Sequence, residues 1–145
     1  MENALKSLRK SNGLTQKEVA SYLGYSEQLI SIWEKGSSFP DASIWGKICR
    51  LYHISLSALL LEDPALKDQV VNEDFDPKSF CLRLLSLRKE RGLTQSALAD
   101  ALGINSKTII SFEKGKSLPS QKTVLSICGY FSISPEELYF GLKVE

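Results

Sequence analysis

The chain has 145 residues, 43% of them hydrophobic and 24% charged, with a net charge of +1. That composition suits a globular protein, includes no apolar run long enough to span a membrane, and is too neutral for a strong non-specific polyanion binder. Three cysteines, Cys49, Cys81 and Cys128, lack metal-ligand spacing and read as reduced thiols; the opening residues lack the basic and apolar segments of a secretion signal, so a cytoplasmic location is expected.

In chain order, a first helix is expected over Asn3 to Ser11, with Leu5 and Leu8 at helical spacing. Thr15 with Glu18 forms a capping box, Leu14 and Val19 a hydrophobic staple, and the helix they open buries Val19, Ala20 and Leu23. Gly24 supplies a turn; Ala20 and Gly24 also read as small residues where two helices cross closely. Ser26 caps a third helix, with Tyr25 and Ile30 as its staple and Gly36 beyond its end. Pro40-Asp41 opens a fourth, carrying Ile44, Trp45, Ile48 and Leu51, and Ser55 caps a fifth with Leu59 and Leu60. This predicts a five-helix domain over residues 1–63.

Residues 64–76 read as a linker, with a short helical turn over 65–71 and a solvated Asn72-Glu73-Asp74. A second domain, 77–145, begins with Asp76 as cap, Pro77 in the first helical position and Phe75 and Phe80 as staple. Thr94, Asn105, Ser120 and Ser134 are its later caps; Ser134 to Glu137 reads as a further capping box, and the tail after Tyr139 is apolar. Cys81 falls in the first turns of a helix, where a thiol pKa can drop. Trp33, Trp45, Phe112 and Tyr130 suit core packing. The run Leu59-Leu60-Leu61 with Leu66, Val70 and Val71 exceeds one small core's needs and suggests docking between repeats or chains.

The two domains are copies. An offset of 79 residues aligns Leu8–Leu60 with Leu87–Tyr139 without a gap, and about 21 of 53 positions are identical where chance gives about three. Among the matches are Gly24/Gly103, Ile30/Ile109, Glu34/Glu113 and Pro40/Pro119. The stretches Thr15–Glu34 and Thr94–Glu113 each read as two short helices joined by a glycine turn, the unit that places its second helix in a DNA major groove. The expected fold is all-α, with two tandem five-helix domains.

The text Leu-Arg-Lys-x-x-Gly-Leu-Thr-Gln, then Ala-x-x-Leu-Gly, then Glu-Lys-Gly-x-x-x-Pro, and finally Ile-Ser-x-x-x-Leu, present twice, closely resembles the phage-repressor type (Cro/XRE-like) helix-turn-helix domain. The resemblance implies a DNA-binding transcriptional regulator on double-stranded DNA, nucleoid-associated when bound. By position it implies that Gln16 and Gln95 contact phosphate or brace the recognition helix. Glu27, Gln28 and Ile32 in the first copy, and Ser106, Lys107 and Ser111 in the second, would face base edges, with Leu29 and Thr108 close by. Arg9–Glu34 and Arg88–Glu113 match a pair that is structural in the family.

The second copy has the better chemistry for DNA. Lys107 can donate to guanine or phosphate, Ser106 and Ser111 to bases, and Lys114, Lys116 and Lys122 follow where phosphates would pass. The bland alternative is that these lysines only solvate a surface. In the first copy Glu27 repels phosphate unless it reads a cytosine amine, and Leu29 and Ile32 suit either thymine methyls or a protein partner. Residue charge follows the same split, about zero over 1–63, about −2 over 64–79 and about +3 over 80–145.

No metal spacing, phosphate-cradling glycine loop or paired nucleophile points to an enzyme, and no cofactor is expected. Two arrangements fit a regulator. In one, the copies form an intramolecular pseudo-dimer reading unlike half-sites ~34 Å apart. In the other, a homodimer reads DNA with one copy and dimerises with the other. The competing class is a protein-interaction adaptor, antitoxin-like or anti-repressor, using one or both repeats to bind a partner protein.

Overall fold

The structure is a computed structural model that describes residues 4–63 and 76–140. The described residues are helical, with no strand, and the chain divides into two compact units, residues 1–74 and 75–145. Unit 1 holds α1 (Ala4–Ser11), α2 (Gln16–Leu23), α3 (Glu27–Glu34), a 3-10 turn (Ala42–Ile44), α4 (Trp45–Tyr52) and α5 (Leu56–Leu60). Unit 2 holds α6 (Phe80–Glu90), α7 (Gln95–Leu102), α8 (Ser106–Glu113), α9 (Gln121–Phe131) and α10 (Pro135–Phe140). The all-α, tandem five-helix expectation is met. Expected features at 64–75 and beyond Phe140, including the linker turn, the Phe75 staple and the apolar tail, lie outside the described residues.

Local capping explains why the helices begin where they do. Thr15 accepts from the Glu18 N–H while Glu18 accepts from the Thr15 N–H, each at 3.1 Å, which closes the capping box. Thr94, Ser26, Asn105, Ser55, Ser120 and Ser134 each accept one otherwise orphaned N–H in the same way. Gly24 and Gly103 end α2 and α7 in the left-handed region, at φ 80° and 69°. A Cβ at Gly24 would meet nothing within 4 Å, so the glycine is required by backbone conformation and not, as expected, by a close helix crossing. Ala20 and its counterpart Ala99 are buried.

Two helix starts differ from expectation. Asp41 caps the 3-10 turn, and the α-helix begins only at Trp45, whose buried indole donates to the Pro40 carbonyl at 2.8 Å. Asp76 accepts from the Lys78 N–H at 2.9 Å, a local Asx turn, and α6 begins at Phe80.

Each core is closed by its own helices. In unit 1, α1 packs on α3 and α4 on α5; in unit 2, α6 packs on α8, α7 on α9, and α10 on both α6 and α9. Leu59 and Leu60 are buried within unit 1, so only Leu61 of that run is exposed among the described residues. Trp33, Trp45 and Phe112 are core residues as expected. Tyr130 is half-buried instead, stacked edge-on with Phe131 at 5.0 Å, with the Arg91 guanidinium 5.8 Å from its ring. All three cysteines are free and buried; burial raises the Cys81 thiol pKa, so the drop that a place in the first turns of a helix allows does not occur, and Cys128 is pushed up to about 12. His53, the only histidine, ends α4 at φ 54° with its N–H bonded to the Cys49 carbonyl, and Ser132 repeats this at φ 56°.

Candidate nucleic-acid interface

In each unit an arginine and a glutamine hold the second helix of the motif against the rest. Arg9 donates through Nε to Glu34 at 2.7 Å and through a terminal nitrogen at 3.0 Å, and its other terminal nitrogen donates to the Leu14 carbonyl at 2.9 Å. Arg88 repeats the pattern on Glu113 (2.7 and 3.0 Å) and Leu93 (2.8 Å), and Glu113 raises the Arg88 pKa through that hydrogen bond. A bidentate, largely desolvated pair of this kind fixes orientation, because the planar guanidinium accepts only one register. Gln16 and Gln95 complete the clamp, donating to Glu34 at 3.2 Å and to Glu113 at 3.0 Å. Their amides therefore bind the second helix of each motif; the half-buried side chains are positioning residues in this geometry.

The clamp leaves one face of α3 and of α8 outward. On α8, Lys107 is exposed and Ser106, Thr108 and Ser111 are half-buried. Ser111 Oγ lies 2.8 Å from Ser117 Oγ, which ties the helix to the loop carrying the exposed Lys114 and Lys116. The expected set of unit 2 is thus brought together on one helix and its following loop. On α3, Glu27 and Gln28 are exposed, Leu29 is half-buried and Ile32 is 41% exposed.

Helix termini sharpen the contrast. The first turns of α2 and α3 carry Glu18 and Glu27, whereas those of α7 and α8 carry no acid. A helix N-terminus attracts anions through its free N–H groups and dipole, and a carboxylate already seated there cancels that attraction. From residue 15 to 43 the exposed charges are Lys17 and Lys35 against Glu18, Glu27 and Asp41; from 94 to 122 they are Lys107, Lys114, Lys116 and Lys122 against Asp100 alone. In the sequence Glu18 reads only as a cap. Its alignment with Ala97 is the signal for its second effect.

A helix-turn-helix family model matches residues 5–59 and 84–138, most of the chain and both units. The chain belongs to the Cro/XRE-type helix-turn-helix family. Both units are thus helix-turn-helix domains of a DNA-binding type, with α3 and α8 as the second helices of the two motifs. An uncharacterized HTH-type transcriptional regulator of Methanocaldococcus jannaschii is 39% identical over 57 residues, covering 39% of this chain and 86% of the relative. Antitoxin PezA of Streptococcus pneumoniae is 36% identical over 62 residues, 43% of this chain and 39% of the antitoxin. The cryptic phage CTXphi transcriptional repressor RstR of Vibrio cholerae is 30% identical over 59 residues, 41% of this chain and 53% of the repressor. The matched part is thus about half or less of the last two relatives. No solved structure matches the chain significantly. No helix among the described residues is long and apolar enough to cross a membrane.

Proposed function

We propose that the chain is a transcriptional regulator that binds double-stranded DNA sequence-specifically, acts chiefly as a repressor by occupying its operator, and uses unit 2 as its main reader. The observation that carries this reading is the outward face of α8. Lys107 is exposed in the first turn of α8, at an N-terminus free of acids, and Lys114 and Lys116 are exposed just past the end of that helix, which Arg88, Gln95 and Glu113 hold in one orientation. Lys107 and Ser106 stand where base edges would lie, Thr108 and Ser111 beside them, and Lys114 and Lys116 where phosphates would pass. The reading places the protein in the cytoplasm on the nucleoid and assigns it binding, with no chemistry.

Selection of genomic fragments by the purified chain tests it, comparing wild type with a Ser106→Ala/Lys107→Ala variant and a Glu27→Ala/Gln28→Ala variant. Loss of an enriched site in the unit 2 variant supports the reading. Absence of any enriched site for the wild type overturns it. A second reading, an adaptor that binds a partner protein, is favoured by the acidic and apolar face of α3 and by the antitoxin among the relatives. Steep weakening of DNA binding with salt separates the two, since it requires released phosphate counterions.

A further inference from the structure

The outward stripe of α3 does not suit a polyanion, yet it is complementary to itself. Gln28, Ile32 and Lys35 follow one another at four- and three-residue spacing, so they line one side of the helix, and Glu27 begins the adjacent row. Ile32 is 41% exposed at the middle of the stripe, the half-buried Leu29 lies one turn before it, and the same helix-turn-helix exposes Tyr22 and Tyr25. Tyr25 is held edge-on against Trp33 at 5.5 Å, so part of this apolar surface is already ordered. The two ends of α3 carry opposite charges, Glu27 at the start and Lys35 at the close.

We propose that the α3 face of unit 1 is a homodimer interface, two copies of the chain pairing α3 antiparallel across a twofold axis. In that arrangement Ile32 meets its own counterpart at the axis, and Lys35 of each copy lies beside Glu27 and Gln28 of the other. A twofold contact requires such self-complementarity, because one patch must serve both sides. Unit 2 is built against the same contact: the equivalent stripe is Lys107, Ser111 and Lys114, and antiparallel pairing would set lysine against lysine. The fold therefore presents one recognition face to a second copy and the other to DNA. The dimer would carry two identical unit 2 readers, which implies an operator with like half-sites. This interface does not depend on DNA reading by unit 2, and its test contains no DNA.

The test is sedimentation of the full chain up to ~100 µM, with wild type, Glu27→Lys, Lys35→Glu, Ile32→Lys and an equimolar mixture of the two charge variants. All three substituted positions are exposed, so the core is untouched. Wild type is expected to dimerise, and each single variant to weaken the dimer about tenfold or more. The mixture of Glu27→Lys with Lys35→Glu restores opposite charges at both ends and is expected to recover dimers that neither variant forms alone. A monomeric wild type overturns the proposal, and so does a dimer indifferent to all three substitutions. A mixture no better than its components also overturns the antiparallel pairing.

Discussion

The two units share one scaffold and diverge on one face. Their clamps are alike to within 0.2 Å at every bond, from arginine to glutamate, from arginine to carbonyl and from glutamine to glutamate. Yet the helix those clamps hold carries Glu27, Gln28 and Ile32 in one unit and Ser106, Lys107 and Ser111 in the other. After duplication, the interior residues that fix helix orientation stayed the same while the exposed ones changed. Orientation is a packing requirement and partner choice is a surface property, so the second varies without disturbing the first.

The largest effect tests the shared part. Arg9→Ala leaves the Glu34 carboxylate buried without its partner, and Arg88→Ala does the same to that of Glu113; each is expected to cost about 3–5 kcal/mol. Hydrogen exchange resolved by residue should place the loss in the substituted unit. A loss appearing in both units alike would break the picture of two separate cores.

Next comes the divergent face. Replacing Lys107, Lys114 and Lys116 together by alanine is expected to reduce the slope of log affinity against log salt by about 2, near 0.9 for each phosphate left without Lys114 or Lys116. Glu27→Ala with Gln28→Ala should leave that slope unchanged. The converse variant, Glu18→Ala with Glu27→Ser, Gln28→Lys and Ser37→Lys, copies unit 2 onto unit 1 and should steepen the slope by about 2. Fluorescence anisotropy across a salt series on a selected fragment measures all three. An unchanged slope in the triple lysine variant would remove unit 2 as the phosphate grip.

How much of this is legible in the sequence depends on the range of the interaction. The caps at Thr15, Ser26, Thr94 and Asn105 span two or three residues, so they stand in the sequence, and the helices they start lie where expected. The start of α6 is not legible, because Asp76 has two local options, helix cap or Asx turn, and only packing chooses between them. The burial of Leu59 and Leu60 and the link between Ser111 and Ser117 depend on which helices meet, which periodicity does not state. Gly24 is legible for its turn, but the close crossing expected there is wrong, since crowding at a Cβ is a property of three dimensions. The electrostatic role of Glu18 is readable only by setting it against Ala97.

A moderate effect should appear at alkaline pH. Burial pushes Cys128 from 9.0 up to about 12 and Tyr52 from 10.0 up to about 12. Both groups are neutral when protonated, so a raised folded-state pKa means the folded form holds the proton more tightly. Their contribution is fully present below the unfolded value and is lost as pH climbs toward the folded one. Unit 2 is therefore expected to weaken from about pH 9 through Cys128, and unit 1 from about pH 10 through Tyr52. Chemical denaturation between pH 8 and 11 should show a flatter profile for unit 2 in Cys128→Ala. An identical profile would mean that this thiol does not titrate with unfolding.

The smallest effect returns to the shared backbone. His53 and Ser132 each end a helix in the left-handed region, at φ 54° and 56°, where a side chain costs about 1–2 kcal/mol that glycine avoids. Glycine also loses more freedom on folding, about 0.5–1 kcal/mol, so His53→Gly and Ser132→Gly should each stabilise their unit by about 0.5 kcal/mol. Both residues are exposed and both donate the same N–H to a cysteine carbonyl, so little besides the backbone differs between them. Equal gains, read by denaturant midpoints, would show that the duplicated scaffold is energetically as well as geometrically alike. Unequal gains would locate a further divergence at the close of α4 or α9, away from the recognition helices altogether.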